Sequence, residues 1–368
     1  MYYIAAHYGT YTNPWWLLFV GFICIAGASH LAVSLVNWLS AILVKPRILP
    51  RMDFSRGIPA EYRTLVVVPT LLAGKDYIEE LIEGLEVTFL ANKEEHLYFG
   101  LLTDFLDADR ETLPEDRELL ELVSDRIKEL NEKYKRTEQD IFFLFHRPRL
   151  WNEQERKWMG YERKRGKLAA LNALLRGKGE ANFSLITGNH RILRSVKYVI
   201  TLDTDTQLPR EAAWKFIAAM AHPLNQALYD LQKRRVTEGY GILQPRVEPR
   251  MPRGKTSLYL SMLGGLQGID PYTRVSSDVY QDLFGEGSFI GKGIYDVDVF
   301  ERAVHGVFPE NRILSHDLLE GCYVRSGLLS DVYLYEDNPL TYEADTKRHH
   351  RWIRGDWQVA AWILPFIP

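Results

Sequence analysis

The stretch from residue 15 to residue 44, WWLLFVGFICIAGASHLAVSLVNWLSAILV, contains no Asp, Glu, Lys or Arg. About 20 apolar residues suffice to cross the hydrocarbon core of a bilayer. Within lipid such a run must satisfy its own backbone, which makes it a helix. His30, Ser34 and Asn37 make its second half less apolar, so the helix tilts or packs against partners. A cleaved signal peptide fits poorly: no basic region precedes the run, it is too long, and no small-residue cleavage site follows. A buried soluble helix is the stronger competitor. Against it stand tryptophans at the start and Lys45, Arg47 and Arg51 after the end. Cations just beyond a span place the following domain on the cytoplasmic side. The last residues, 357–368, read WQVAAWILPFIP, too short to span. They read as an interfacial helix or the opening of a second membrane segment, which would make this chain a piece of a larger membrane protein. The expected organisation is a tail at 1–14, a membrane helix at 15–44, a Pro- and Arg-rich linker at 45–61 and a folded domain at 62–356.

That domain has the material for a core, since 46% of the chain is hydrophobic and 25% charged. A net charge of −3 excludes a general nucleic-acid binder, whose surface would be basic. The two cysteines, Cys24 and Cys322, do not make a disulfide pair, because Cys24 lies inside the apolar run. No Cys/His spacing resembles a zinc site. Apolar runs predict strands at 64–68, 96–103, 141–145, 198–202 and 240–244. Helical spacing predicts helices at 75–91, 113–137, 166–176 and 214–235. Strands alternating with helices give an α/β fold with a mostly parallel sheet. Ligands of such sheets bind beyond the carboxyl ends of the strands. Two of the strands end on aspartates, Asp104 and Asp203.

In VITLDTDTQLPR, Asp203 and Asp205 stand two apart at a strand end. Extended backbone turns residues i and i+2 the same way, so both carboxylates can face one hard cation, Mg²⁺ or Mn²⁺. The plainer reading is a turn in which each aspartate caps a neighbouring backbone group. Arg163, Lys164, Arg165 and Lys167 crowd the start of a helix, an anion site suited to a diphosphate or else a solvated charged face. Asp104 and Asp107 close the second strand, where they either contact a nucleotide or cap a turn. GEGSFIGKG, 285–293, is not a phosphate-binding loop of the ATPase type. Gly285 is one residue early, and Gly293 stands where Ser or Thr should be. No G-x-G-x-x-G follows the first strand, which disfavours a dinucleotide oxidoreductase. ILSHDLLEG, 313–321, offers Asp317 and Glu320, with Ser315 a candidate cap; a carboxylate there could take a proton from an acceptor hydroxyl. KRHHRWIRGDWQ offers Arg351 to phosphate and Trp352 as a flat face for a sugar ring, though the same composition suits a membrane interface.

Taken in order, LLTDFLDAD, RKRGKLAALN, TLDTDTQLPR, GEGSFIGKGIYDVD, SHDLLEG and RWIRGDWQ resemble the transferase domain of the bacterial cyclic β-1,2-glucan synthases. These are relatives of the processive inverting transferases that make cellulose. The resemblance covers roughly 62–358. It implies a GT-A fold in the bacterial inner membrane, with cytosolic UDP-glucose as donor and a glucan as acceptor. Asp104, Asp107, Lys167, Asp203, Asp205 and Arg351 would bind the nucleotide sugar. Asp203 and Asp205 would hold the metal, Asp317 would be the general base, and Trp352 and Gly291 would border the acceptor. Arg348 replaces the glutamine of the cellulose-type Q-x-x-R-W motif, which weighs against cellulose. Full cyclic glucan synthases carry further membrane helices and a phosphorylase-like region beyond what this chain contains. The Tyr-rich stretch 259–280 is a place where a primer could attach.

Overall fold

The long charge-free run forms one continuous helix, α1 (Pro14–Leu43). Its segment Pro14–Ser40 has a mean hydropathy of 2.1 and none of its best window is buried against the rest of the chain. A computed structural model describes residues 14–45, 47–135, 139–250, 259, 279–313, 316–337, 339, 341–362 and 364. Among these, α1 is the one helix long and apolar enough to cross a membrane. The segment after it is less a free linker than a strap. The Arg47 amide donates to Asp282, the Met52 amide to the Ala218 carbonyl, and Asn225 to the Pro50 carbonyl, while Arg51 pairs with Asp331. Phe54 and Ile58 are buried.

The domain begins with β1 (Thr64–Leu72), α2 (Lys75–Ala91), β2 (Leu97–Phe105), α3 (Asp116–Tyr134) and β3 (Phe142–His146). A small hairpin follows, β4 (Leu150–Asn152) with β5 (Lys157–Met159), its turn closed by the Asn152 carboxamide accepting from two backbone amides. Next come α4 (Arg163–Leu175), β6 (Leu185–Thr187), β7 (Tyr198–Thr201), β8 (Thr206–Gln207) and α5 (Ala212–Ala221). The hairpin β9 (Leu228–Asp230) and β10 (Arg235–Glu238) leads into β11 (Ile242–Pro249). The last elements are α6 (Val279–Phe284), β12 (Gly293–Asp296), α7 (Val297–Val304), α8 (Asp317–Val324), β13 (Ser326–Glu336) and α9 (Tyr342–Val359).

Nine strands make one sheet in the order β6-β3-β2-β1-β7-β12-β11-β13-β8. The run β3-β2-β1-β7 is parallel throughout, and β11 is parallel to β13. Strands β6, β12 and β8 run against their neighbours. This is the mostly parallel α/β architecture expected from the alternation of elements. Strands of a parallel sheet are covered on both faces, which is why β1 and β2 read as unbroken apolar runs. One face packs Val66, Phe99 and Leu101 against Ile78, Leu85 and Phe89 of α2, Val123 of α3 and Phe216 of α5. The other packs Leu65, Val67 and Phe143 against Leu171 and Leu175 of α4 and Phe300 of α7.

One sequence expectation needs correction here. The helix predicted over 214–235 ends at Ala221. His222 precedes Pro223 and takes extended backbone, as residues before proline do, and the remainder forms the β9–β10 hairpin. The 250–280 region lies almost wholly outside the described residues, as does the proposed cap Ser315. Cys24 and Cys322 are both free, as expected.

His146, at the end of β3, is fully buried; its Nδ1 lies 2.8 Å from the Thr103 hydroxyl, and its Nε2 has no partner. Burial pushes its pKa from 6.5 to about 4, so folding favours the neutral ring. The stabilisation is complete above the unfolded pKa and is lost as pH falls through the folded one. Between pH 6.5 and 4 the wild type should therefore lose on the order of 3 kcal/mol more than His146→Gln does. Chemical unfolding across a pH series would measure it.

Candidate active site

The carboxyl ends of β2, β7 and β13 lie along one edge of the sheet, and each delivers an acid. Strand β7 hands over to Asp203 and Asp205, and β13 ends on Glu336. Thr206 ties the two together, because β8 pairs antiparallel with the end of β13 and the Thr206 hydroxyl donates to Glu336 at 2.9 Å. Oxygens of Asp203, Asp205 and Glu336 all lie within 4.8 Å of one another. An all-oxygen set of this kind fits a hard divalent cation such as Mg²⁺ or Mn²⁺. Sequence reading found two of the three. Glu336 escaped because strand β13 was not recognised.

Two lysines enter the same cluster. Lys164, in the first turn of α4, donates to Asp203 Oδ1 at 2.6 Å and to the Gly291 carbonyl at 3.0 Å. Lys292, just before β12, lies 3.2 Å from Asp203 Oδ2 and contacts Glu336. Burial pushes the Asp203 carboxyl up, but the two ammonium groups more than reverse it and hold it below its ordinary value. Burial also works against the charge on Lys164, and there Asp203 and Asp317 win, so its pKa is raised. For Lys292 burial wins, and its pKa is lowered. Desolvation raises the Asp205 carboxyl, with Asp203 adding to it and Lys292 opposing it.

Asp317 is the first residue of α8 and sits against Gly291. A Cβ at 291 would fall 2.7 Å from Asp317 Oδ1, and φ there is +85°, so only glycine lets the carboxylate lie so close. Asp317, Gly291, Lys164 and Asp203 thus form one continuous run of contacts. Behind Asp317, the buried His316 lies 2.7 Å from Glu320 and 3.8 Å from Asp317. Burial favours the neutral ring, but Glu320 and Asp317 raise the His316 pKa above its usual value.

Asp104 is placed beside this edge but is committed to another partner. Both its oxygens accept from Arg147, at 2.9 and 2.8 Å, and Lys167 lies at 3.4 Å. All three side chains are buried, and a Cβ on Gly160 would collide with the Asp104 carboxylate. Lys167 also donates to the Thr70 carbonyl, and burial pushes its pKa down to about 8. Exposed Asp107 pairs with Arg163 at 3.1 Å, and Arg165 pairs with Glu162. Every cation of the basic run at the start of α4 therefore has an acidic partner, and an incoming anion must compete for it.

Arg351 and Trp352 lie on α9. Trp352 is half-buried under the Arg348 guanidinium, 4.9 Å from its ring centre, with His349 at its edge. Arg348, the departure from Q-x-x-R-W, is fixed by Asp345 at 2.7 Å. Exposed Arg351 makes no hydrogen bond or ion pair to the acidic cluster among the described residues. The far end of α9 is anchored near Asp317, since Val359 packs with Phe308, Ile313 and Leu319 of α8.

No family model matches the chain. The resemblance read from the sequence is borne out by a curated relative. The chain is 46% identical over 341 residues to the cyclic β-(1,2)-glucan synthase NdvB of Rhizobium meliloti (strain 1021), a match that takes in 92% of this chain and 12% of that protein. Among solved structures, S. aureus TarS is matched over 75% of this chain and 37% of TarS, at 14% identity and a TM-score of 0.36. A TarS structure of residues 1–349 in complex with UDP is matched over 81% of this chain and 65% of that one, at 12% identity and a TM-score of 0.37.

Removing Arg147 would leave buried Asp104 with Lys167 alone. Arg147→Met is expected to cost about 3–5 kcal/mol of stability, the usual penalty for a broken buried pair. Asp205→Asn, which takes a desolvated carboxylate out of a mutually repelling cluster, should not lower stability. Thermal unfolding of the two variants would show the contrast.

Proposed function

We propose that this chain is the catalytic domain of a membrane-tethered inverting glycosyltransferase that moves glucose from UDP-glucose onto a growing β-1,2-glucan. The observation that carries the reading is the meeting of two carboxylate sets across Gly291 and Lys164. A metal-suited trio, Asp203, Asp205 and Glu336, stands on one side, and Asp317 stands on the other. The kinship with a glucan synthase over nearly the whole chain supports the choice of glucose and of the 1,2-linkage.

Asp203, Asp205 and Glu336 would hold Mg²⁺ or Mn²⁺ against the donor diphosphate. When bound, the ion supplies positive charge to the departing UDP. Lys164 adds fixed positive charge beside it. Asp317 takes the proton of the acceptor hydroxyl as that oxygen attacks the anomeric carbon. The bond from that carbon to the diphosphate breaks on the opposite face, so an α-linked donor gives a β-linked product. His316 and Glu320 fix the start of α8 and with it the direction of Asp317. In this reading Asp104 is a brace that holds Arg147 and Lys167 behind the nucleotide edge. Because the chain covers 12% of its relative, ring closure is not assigned to it. The domain would face the cytoplasm, where UDP-glucose is made, with α1 in the bilayer.

The test is incorporation of labelled glucose from UDP-glucose by membranes carrying the full-length protein. Asp205→Ala and Asp317→Ala are each expected to lower incorporation by roughly 10²-fold or more, the scale of losing a positioned general base or a metal ligand. Undiminished incorporation in either variant refutes the role given to that residue. Linkage analysis of the product should find 1,2-bonds, and their absence would point to another β-linked polymer.

A further inference from the structure

Lys292 stands inside the carboxylate cage that the proposed function gives to a divalent cation. Its side chain is 8% exposed, its Nζ lies 3.2 Å from Asp203 Oδ2, and it contacts Glu336. An ammonium group and a divalent ion cannot share that position, because like charges a few ångströms apart repel and both would take the same Asp203 and Glu336 oxygens. Nor can the cage stand without a cation, since clustered carboxylates repel one another and the buried Glu336 would lose its counter-charge. We infer that Lys292 is the resident cation of this site and is exchanged for a divalent ion when that ion arrives with a nucleoside diphosphate. The inference rests on the metal-and-diphosphate reading above.

The neighbouring geometry says which lysine leaves. Lys164 is pinned by a neutral acceptor as well as by Asp203, through its bond to the Gly291 carbonyl, and it keeps Asp203 Oδ1 to itself. Among the described residues, Lys292 has only carboxylate oxygens for partners, the same oxygens that a metal would take. Its backbone is fixed: a Cβ at Gly293 would lie 2.3 Å from the Leu243 carbonyl, so that glycine is clamped against β11. Exchange is then a swing of the flexible lysine stem with the strand held still. The displaced ammonium needs a new anion, and a diphosphate bound at the metal supplies one. Metal alone offers none, so metal alone should bind poorly.

The experiment is Mn²⁺ binding to the detergent-solubilised full-length protein, followed by electron paramagnetic resonance of free Mn²⁺, with and without UDP. The wild type is expected to bind Mn²⁺ at least tenfold more tightly when UDP is present. Lys292→Gln, which removes the competing charge, should bind Mn²⁺ without UDP at least tenfold more tightly than the wild type does. Lys292→Arg, which keeps the charge, should stay weak. Equal Mn²⁺ affinity in the wild type with and without UDP overturns the exchange, and this arm needs no variant to fold. Lys292→Gln binding no better than wild type overturns it as well. UDP binding that ignores Mn²⁺ altogether would make Lys292 a permanent replacement for the metal, again contrary to exchange. A wild type that binds UDP under no condition fails the proposed function itself, and so is told apart from the other results.

Discussion

Carboxylates do not gather without cause. Asp203, Asp205 and Glu336 bring their oxygens within 4.8 Å of one another at the edge of a sheet, and their mutual repulsion must be offset for the edge to hold its shape. Lys164 and Lys292 supply the offset from opposite sides of Asp203. Much of the architecture around the site positions these five groups. The β7–β8 connection carries the aspartates, β13 brings the glutamate, α4 brings one lysine, and the residue just before β12 brings the other. Two positive charges against three negative ones leave the cluster short by one, a gap that a divalent ion in place of the Lys292 ammonium would close.

The same compensation recurs two strands away in a different role. Asp104 stands one residue before the end of β2, as Asp203 follows β7, yet its carboxylate is consumed by a two-pronged bond from Arg147 and by Lys167. One acidic strand end is turned into a brace and the next is left half-open to solvent. The difference lies in the neighbours. Arg147 follows directly on β3, the strand beside β2, and so can reach Asp104; among the described residues the cations that reach Asp203 are lysines, with flexible stems.

Much of the frame was legible in the sequence because parallel strands buried on both faces leave unbroken apolar runs, as at 64–68 and 141–145. The aspartates at strand ends followed from the general behaviour of such sheets. What escaped depended on partners distant in the chain. Glu336 closes a strand whose sequence, SGLLSDVYLYE, mixes polar and apolar residues without clear alternation, so its terminus carried no signal. Lys292 was read as part of a failed phosphate loop; the failure was real, but the lysine had another use. Arg147 lay in no motif. The helix overextended past 221 because apolar residues at 224, 228 and 231 keep helical spacing, while Pro223 broke the backbone that spacing required. Arg351 and Trp352 were read as site residues from the chemistry of their side chains and from the RWIRGDWQ motif; their helix docks through Val359 beside Asp317, and among the described residues neither makes a hydrogen bond or ion pair to the acidic cluster.

The order in which these groups occur along the chain has a consequence for how the protein is made. A ribosome delivers Lys164 first, then Asp203 and Asp205, then Lys292, and only last Glu336. The third carboxylate thus emerges after both of its compensating lysines. At every stage of vectorial synthesis the growing cluster carries at most one unbalanced negative charge, so the nascent domain can collapse around β7 and β12 before β13 arrives to seal it.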